Sequence, residues 1–465
     1  MSARVVIVGA GPAGASAAIA LARCGIASVL LDDNPQAGGQ IFRPRSDGGA
    51  PLIGHDARGS ALRETLRRHA ALIEHRSGHE VIAVYPSRKL WVASADSRAY
   101  ELTAGHLVLA TGAVEVSVPV PGWTLPGIYT LGGLQILAKA SATVPAGRTV
   151  LAGAGPLLYL VAAQLVSAGV EVTDVVDAAA FPTPGQIAGM ARVPGLFLRG
   201  IGFELTLRRL GVAIHRCSAI VEITGDGTVS EVVLAPLGDD WRPRADRRTR
   251  LRADVVGMSF GLRPNTELTQ LAGCEHVYDA TAGGWRVHRD ANFATSVANV
   301  YAIGDGAGIG GVDTALAEGT ILGHDLALRL GTTNAVLAAE AEEARHRLSS
   351  FAAFRRALVG WSGLRPGIFR AADSSTMVCR CEDVRLSDLD QALEAGIALP
   401  RGLKLRTRAG MGLCQGRTCA PAVQHRIAEK SGLPVAELPM PTVRVPLRPI
   451  SVSALAALAP TTAAE

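Results

Sequence analysis

The feature that most constrains the fold is a pattern of a short apolar strand, a glycine-rich turn, an apolar helix, a second strand and an aspartate. Its first copy has glycines at Gly9, Gly11 and Gly14 and its acid at Asp33. This pattern forms a βαβ unit that binds a dinucleotide, because the glycines let backbone N–H groups reach the pyrophosphate at the helix N-terminus. We expect Asp33 to accept hydrogen bonds from the ribose hydroxyls. The ligand is predicted to be a flavin or a nicotinamide nucleotide, with a purely structural glycine turn as the alternative.

A second copy of the pattern begins at Thr149 and continues through Gly153 and Gly155. Its acid, Asp177, lies 24 residues after Gly153, the same spacing as in the first copy. The third glycine, which normally allows close packing of helix against strand, is replaced by Leu158. The equal spacing predicts a second nucleotide-binding fold. Its ligand is left open between NAD, another adenine nucleotide, and a retained fold with weakened binding.

Composition narrows the class of protein. The chain has 465 residues, of which 48% are hydrophobic and 19% charged, and this balance excludes an intrinsically disordered protein. A net charge of +5 is too small to indicate a nucleic-acid partner. No apolar run is long enough for an integral membrane segment, and the glycines near the N-terminus do not fit a secretory signal. We therefore expect a cytoplasmic protein, with peripheral attachment to the inner face of the membrane left open.

Two further apolar runs end in small or acidic residues. The first ends in Thr111 and Gly112, and the second ends in Gly304 and Asp305. With the first βαβ unit, and in this order, they resemble the two-dinucleotide-domain flavoproteins that include thioredoxin and glutathione reductases. The resemblance spans residues 4 to about 330. It implies that Thr111 and Gly112 lie at the cofactor and that Asp305, after Gly304, hydrogen-bonds the flavin ribityl chain.

The same resemblance extends to two loops. Gly39 and Gln40 resemble the loop that flanks the isoalloxazine ring, and the turn at residues 260–265 resembles a Gly-Arg-x-Pro-Asn turn with Leu262 inserted. Disulfide reductases of this family also need two cysteines a few residues apart beside the flavin. No such pair occurs before Cys379. We therefore expect no thiol–disulfide chemistry on this flavin, and its electrons must leave by another route.

Four of the seven cysteines lie close together near the C-terminus. They form a C-x-C pair, a 32-residue interval and a C-x4-C pair, made by Cys379, Cys381, Cys414 and Cys419. In a chain without a secretory signal, clustered cysteines more often bind metal or do redox chemistry than form disulfides. Four thiolates can ligate the two irons of a [2Fe-2S] cluster, whose negative charge would be offset by Arg380, Arg408 and Arg417. A four-thiolate zinc site and unligated thiols are the alternatives.

This cysteine segment resembles the bacterioferritin-associated-ferredoxin-like [2Fe-2S] domain, in the variant found in subunits of opine, hydroxyproline and proline dehydrogenases. Over its whole length the chain resembles the large FAD/[2Fe-2S] electron-transfer subunit of heteromeric amino-acid dehydrogenases. That group includes D-hydroxyproline dehydrogenase, opine (octopine or nopaline) oxidase and dye-linked proline dehydrogenase. The resemblance implies a partner, an FAD-dependent amino-acid oxidase-like subunit that oxidises the substrate. FMN at a subunit interface and a further small ferredoxin-like subunit are left open.

The expected fold class is α/β, with two Rossmann-like dinucleotide-binding domains of the glutathione and thioredoxin reductase kind and a small helical C-terminal [2Fe-2S] domain. The expected segments are the first part of the FAD domain at 1–120, the second nucleotide-binding domain at 121–253, the second part of the FAD domain at 254–333, a linker helix at 334–375, the [2Fe-2S] domain at 376–440 and an extended tail at 441–465.

The predicted function is transfer of electrons from a catalytic flavoprotein partner, of the D-hydroxyproline or opine type, to an acceptor. We expect no catalytic residue in this chain. One alternative is a self-contained NAD(P)H-dependent reductase that loads its flavin through the domain containing Asp177. Others are a subunit of the hydrogen cyanide synthase type and a redox-inactive scaffold whose cysteines hold zinc.

Overall fold

The computed structural model describes residues 2–54 and 56–458. The strands in this part of the chain are β1 (Ser2–Val8), β2 (Ser28–Asp32), β3 (Ile73–Ser77), β4 (His79–Val84), β5 (Lys89–Ser94), β6 (Ala99–Leu109), β7 (Ala113–Glu115), β8 (Ile128–Thr130), β9 (Thr149–Gly153), β10 (Val172–Asp177), β11 (Ala213–Arg216), β12 (Ser218–Thr224), β13 (Glu231–Pro236), β14 (Thr249–Arg252), β15 (Val255–Ser259), β16 (Leu262–Pro264), β17 (His276–Asp279), β18 (Gly284–Val287), β19 (Val300–Ala302), β20 (Met377–Cys379) and β21 (Val384–Arg385). The helices are α1 (Pro12–Arg23), α2 (Ala57–Arg68), α3 (Leu131–Ser141), α4 (Pro156–Ser167), α5 (Pro184–Met190), α6 (Pro194–Arg209), α7 (Glu267–Leu271), α8 (Val312–Arg329), α9 (Ala335–Ser362), α10 (Leu386–Glu394), α11 (Pro400–Thr407), α12 (Ala420–Ser431) and α13 (Val452–Leu458).

The first domain is built on a sheet in the order β3-β2-β1-β6-β5-β4, with β19 paired to β6. Strands β3, β2, β1, β6 and β19 run parallel, whereas β4 and β5 add an antiparallel edge. Parallel strands whose two faces are both covered have continuous apolar sequences. Strand β2 is such a strand, because it is buried at all five positions. Helices α1 and α8 pack together so closely that a Cβ added to Gly319 would lie 2.2 Å from the carbonyl oxygen of Ala13.

The second domain repeats the parallel core in the order β11-β10-β9-β15-β8 and adds an antiparallel sheet of β12, β13 and β14. The predicted boundary between residues 253 and 254 is wrong. Strand β15 follows it in sequence but pairs in parallel with β8 and β9, within the second sheet. A buried apolar run shows that a strand exists, but it does not show which of two sheets will take it. The chain returns to the first domain only at β16.

The two domains are joined by two adjacent chain crossings. Strands β7 and β16 carry the chain out and back, and they pair with each other as a short antiparallel ladder. After α8, helix α9 occupies residues 335–362 of the segment 334–375, and it lies against α8 and α5. Its C-terminal end therefore reaches the second domain, where the indole Nε1 of Trp361 donates a hydrogen bond to the carbonyl oxygen of Ala180 at 2.7 Å.

The C-terminal domain is small and mainly helical, as expected, with β20, β21 and α10–α12 around a core of its own. It is fastened to the second domain, because the indole of Trp123 donates to the carbonyl oxygen of Met377 at 2.6 Å. The segment before it is fastened as well, since the N–H of Gly367 donates to the carbonyl oxygen of Asp240 at 3.0 Å.

The tail differs in part from the predicted extended segment. The N–H of Leu447 donates to the carbonyl oxygen of Ile82 at 2.9 Å, and Leu447 is buried in the first domain. Residues 452–458 then form α13 rather than extended chain, since an alanine- and leucine-rich segment favours a helix. The end of the predicted tail, 459–465, lies outside the described residues. Within the described residues, no helix has the combination of length and apolarity that a membrane crossing requires.

Candidate functional site

The three glycines of the first turn have different structural roles. Gly9 has φ +101°, and a Cβ there would lie 2.3 Å from the carbonyl oxygen of Ala110. A Cβ on Gly14 would lie 2.0 Å from the carbonyl oxygen of Gly9, so the fold itself requires glycine at both positions. Gly11 has an ordinary φ of −68°, and its Cβ position is 3.8 Å from the nearest atom that limits it. Packing within the described residues does not require glycine at position 11, which fits a residue that leaves room for a ligand at the N-terminus of α1.

The loop containing Gly39 and Gln40 lies directly on this turn. A Cβ on Gly39 would be 3.0 Å from the Cα of Gly11, and the N–H of Gly38 donates to the carbonyl oxygen of Ala10 at 2.8 Å. The loop is also held from the second domain by Lys139, whose Nζ donates to the carbonyl oxygen of Ile41 at 3.0 Å. Burial lowers the pKa of Lys139 to about 8. The structure thus brings the predicted ring-flanking loop to the predicted pyrophosphate turn.

Two adjacent acids follow β2, and they face different partners. Asp32 is buried, and its carboxylate accepts hydrogen bonds from the backbone N–H groups of Ala10 and Asn34. Asp32 therefore shapes the glycine turn from within. Asp33 is exposed next to it and accepts a hydrogen bond from the side-chain amide of Asn34 at 2.7 Å. The assignment of Asp33 to the ribose stays a prediction.

Thr111 and Gly112 lie where β6 ends, and they contact the two other predicted flavin segments. The Thr111 hydroxyl donates to the carbonyl oxygen of Asn265 at 2.7 Å, and the N–H of Asn265 donates to the carbonyl oxygen of Gly112 at 3.0 Å. A Cβ on Gly306 would lie 2.5 Å from the Thr111 hydroxyl oxygen. These contacts place the 260–265 turn, Thr111 and the segment around Gly304 side by side.

Gly304 and Asp305 are held in place by buried charges. The N–H of Gly304 donates to Glu318 at 2.7 Å, and Glu318 forms a bidentate ion pair with Arg289. One carboxylate oxygen of Asp305 accepts from the N–H groups of Gly310 and Gly311, and burial raises the pKa of Asp305. Sequence reasoning missed the roles of Glu318 and Arg289. Their only signal was an acid within the helix that follows the Gly-Asp pair.

The second fold keeps the shape of the first at its opening glycine. Gly153 has φ +150°, and a Cβ there would lie 1.7 Å from the carbonyl oxygen of Ser259. The surroundings of Gly155 are different, because Ser362 at the end of α9 lies over it. The Ser362 hydroxyl oxygen is 3.3 Å from the Cβ position of Gly155. Helix α9 thus covers the N-terminus of α4, the place where a pyrophosphate binds in such folds.

The acid of the second fold is already bonded within the protein. Asp177 is fully buried, and its carboxylate accepts hydrogen bonds from the Tyr159 hydroxyl at 2.6 Å, the Arg216 guanidinium at 3.0 Å and the N–H of Ala179 at 2.9 Å. Burial raises the pKa of Asp177, while these donors oppose that shift. Arg216 in turn stacks on the ring of Phe181, 4.4 Å from its centroid. Binding of a nucleotide at this second site stays a prediction.

The four clustered cysteines form two pairs. Cys379 and Cys419 lie close enough for each thiol to shift the pKa of the other, and so do Cys381 and Cys414. The first pair is buried, whereas Cys381 is exposed and Cys414 is half-buried. Among the described residues, no three candidate ligands are grouped so that they could hold a single metal ion. Two thiol pairs are the donor set that two irons require, with two thiolates to each iron.

Backbone N–H groups lie near the buried pair, Cys379 and Cys419. The backbone N–H groups of Gly410, Cys381 and Glu382 also lower the pKa of Cys379, because they favour its thiolate form. Hydrogen bonding from Cys419 lowers the pKa of Cys379 to about 6, and the same contact raises the pKa of Cys419. A Cβ on Gly410 would lie 3.9 Å from the sulfur of Cys419, so glycine keeps the space beside this sulfur open. N–H groups pointing at thiolate sulfur are characteristic of iron–sulfur sites.

The three arginines predicted near the cysteines are placed differently. Arg380 is exposed, and Arg408 has a side chain that is 67% exposed and pairs with Glu382. Arg417 is 11% exposed and pairs with Glu267 of the first domain. Sequence reasoning also missed a fourth arginine, Arg263, which donates to the carbonyl oxygen of Arg417 at 3.0 Å.

Comparison with known proteins agrees with both the nucleotide-binding folds and the cysteine domain. Residues 3–319 match the family "Pyridine nucleotide-disulphide oxidoreductase", and residues 377–429 match the "BFD-like [2Fe-2S] binding domain". Hydrogen cyanide synthase subunit HcnB of Pseudomonas aeruginosa is 37% identical over 93% of this chain and 94% of its own. An opine oxidase subunit of Rhizobium meliloti is 35% identical over 97% of this chain and 98% of its own.

The fold has a solved counterpart over nearly its whole length. The crystal structure of L-proline dehydrogenase from P. horikoshii covers 98% of this chain, and this chain covers 79% of that one, with a TM-score of 0.69 at 17% identity. The predicted α/β class, with FAD-binding and [2Fe-2S]-binding domains, is confirmed. This chain is therefore a member of the pyridine nucleotide-disulphide oxidoreductase family, in the group of FAD/[2Fe-2S] subunits that contains the opine oxidase subunit and hydrogen cyanide synthase subunit HcnB.

Proposed function

We propose that this chain is the electron-transfer subunit of a heteromeric dehydrogenase that oxidises the CH–NH group of an amino acid or opine, of the D-hydroxyproline or opine type. A partner flavoprotein subunit oxidises the substrate. This chain then passes the electrons to an acceptor through FAD in the first fold and a [2Fe-2S] cluster held by Cys379, Cys381, Cys414 and Cys419. When bound, the flavin exchanges electrons in pairs or singly, and the cluster exchanges them one at a time.

The observation that carries this proposal is the position of the turn at 260–265. At one end, Asn265 is hydrogen-bonded to Thr111 and Gly112 beside the flavin segments. Two residues earlier, Arg263 is hydrogen-bonded to the backbone of Arg417, which lies between the closing cysteines. One short turn thus touches both redox sites, and this is the arrangement that a relay of electrons between them needs.

The state of the second fold supports the partner, rather than NAD(P)H, as the source of electrons. A dinucleotide at this site needs its pyrophosphate near Gly155 and its ribose near Asp177. Ser362 covers the first position, and Asp177 is bonded to Tyr159 and Arg216 at the second. This argues against the alternative in which the chain is a self-contained NAD(P)H-dependent reductase.

A second candidate reaction comes from the relatives. The 37% identity to a hydrogen cyanide synthase subunit, over 94% of that protein, is as strong as the similarity to the opine oxidase subunits. Hydrogen cyanide holds one carbon and one nitrogen, so an amino acid that yields it by oxidation and loss of its carboxyl group must have no side-chain carbon. We therefore also propose glycine as a substrate to be tried in the same assay. In both cases the chain plays the same part, and the partner determines the substrate.

The test is reconstitution of the complex. The full chain is co-expressed with the flavin oxidase-like subunit encoded next to it, and dye-linked oxidation of D-hydroxyproline, opines and glycine is measured. We expect turnover by the complex and none by either chain alone. Steady turnover by this chain alone on any of these substrates, or flavin reduction by NADH followed by electron transfer to the dye, would contradict the proposal.

A matched pair of variants makes this test specific for the cluster. In the complex, Cys381→Ser should abolish acid-labile sulfide and dye reduction and leave the flavin bound. Cys217→Ser removes an exposed cysteine of the second domain and should change neither. One zinc per chain without sulfide would show that the cysteine domain is structural.

A further inference from the structure

We infer that Arg263, carried by the first domain, is the positioning residue that sets the reduction potential of the [2Fe-2S] cluster in the C-terminal domain. This inference rests on the proposed function, because it requires the cluster to be present. It concerns a residue 116 positions before Cys379, outside the segment that holds the cluster.

The backbone on both sides of Arg263 is held by pairing and hydrogen bonds to neighbouring segments. Arg263 lies at the centre of β16, where it is paired with Val114 of β7. Asn265, two residues later, is hydrogen-bonded to Thr111 and Gly112. A side chain that leaves this ladder therefore has a fixed origin relative to the flavin segments.

The guanidinium of Arg263 reaches the cysteine domain. Its Nη2 donates to the carbonyl oxygen of Arg417 at 3.0 Å, and its charge interacts with the thiols of Cys414 and Cys419. Burial lowers the pKa of Arg263, whereas Glu267 and these two cysteines favour its charged form. An arginine remains charged in such a place, because its intrinsic pKa is far above neutrality.

The three charged side chains at this contact do not cancel one another. Arg263 and Arg417 are both present, and the acid that pairs with Arg417 is Glu267. The three side chains therefore leave one positive charge over. In addition, the Nε–H groups of Arg263 and Arg417 are buried without a hydrogen-bond acceptor in the part of the chain that the structure describes. Buried donors are normally partnered, so these two groups are available to a ligand held nearby.

This excess charge favours the reduced cluster. A four-thiolate cluster is negative, and reduction adds one electron without making or breaking a bond, so a nearby fixed cation stabilises the reduced form more than the oxidised form. A unit charge at roughly 12 Å in a medium of dielectric constant about 20 changes the equilibrium by roughly tenfold. For a one-electron couple, that is about 59 mV.

The test is a redox titration of the full-length holoprotein, followed by the absorbance and the paramagnetic signal of the reduced cluster. Arg263→Gln removes the charge and should lower the equilibrium constant for cluster reduction roughly tenfold, which is about 59 mV. Arg263→Lys keeps the charge and should restore most of that difference. The control is Arg408→Gln, which removes a cysteine-domain charge that is largely exposed, and we expect a much smaller change.

Iron and acid-labile sulfide are measured first, so that failure of the proposed function is distinguishable from failure of this inference. Wild-type protein without sulfide would overturn the proposed cluster. A cluster whose potential is the same in wild type and Arg263→Gln would overturn the inference alone. Loss of the cluster in both Arg263 variants would also overturn it, since it would give Arg263 a structural role.

Discussion

The two nucleotide-binding folds of this chain share a backbone plan but differ in what faces the ligand position. In the first fold, Gly11 has an ordinary φ and free space on its ligand side. In the second, the matching Gly155 has φ +86° and is covered by Ser362. A glycine pattern therefore indicates how a strand and a helix are joined. Whether a ligand enters depends on residues that the pattern does not include.

The largest expected effect separates the two folds at these glycines. Gly11→Val should leave the chain folded and abolish flavin binding, because the added side chain fills the approach to the N-terminus of α1. Gly155→Val should keep the flavin and lower stability, since a branched residue is strained at positive φ and meets Ser362. The flavin released on denaturation measures the effect on binding, and thermal unfolding measures the effect on stability. Retention of full flavin by Gly11→Val would show that the two folds do not differ in ligand access at this glycine.

An intermediate effect is expected at the acid of the second fold. Arg216→Ala leaves the fully buried Asp177 without its cation, and we expect a loss of about 3 kcal/mol in the free energy of unfolding. Arg208→Ala is the matched control, because Arg208 pairs with the same Glu204 as Arg216 does but is 52% exposed. The loss of unfolding free energy in Arg208→Ala should stay below about 1 kcal/mol. Equal effects in urea unfolding would show that Asp177 does not depend on Arg216.

The smallest expected effect is the response of the wild-type chain to NADH. Under anaerobic conditions, excess NADH should leave the flavin absorbance unchanged, because α9 covers the second fold and Asp177 is bonded internally. Dithionite should bleach the same sample, which shows that the flavin can be reduced. Bleaching by NADH would mean that the second fold opens in solution, and the comparison between the two folds would then fail.

Much of the fold could be predicted from sequence because its signals are local. The strand, glycine turn and helix of each βαβ unit lie within about 30 residues of one another along the chain. The close approach that requires glycine at position 14 is likewise to a neighbour in the same turn, the carbonyl oxygen of Gly9. The spacing of the cysteines also indicated a small separate domain, which family comparison confirmed.

The rest could not be predicted because it depends on residues that are distant in the sequence. Asp177 and Asp33 occupy the same place in their patterns, but the carboxylate of Asp177 is bonded by an arginine 39 residues later. Ser362 reaches Gly155 from a helix that follows the whole first domain. The expected place of β15 in the first domain differs from the structure for the same reason. Periodicity gives the burial of a segment, whereas its neighbours come from the tertiary fold.

The hydrogen bonds of Trp123, Trp361 and Gly367 limit how the second domain can move. They fasten the second domain to the cysteine domain, to α9 and to the segment between them. A swing of the second domain about the β7–β16 crossing would either break these bonds or carry the cysteine domain and the end of α9 with it. We therefore expect the cysteine domain to keep its position relative to the second domain during turnover.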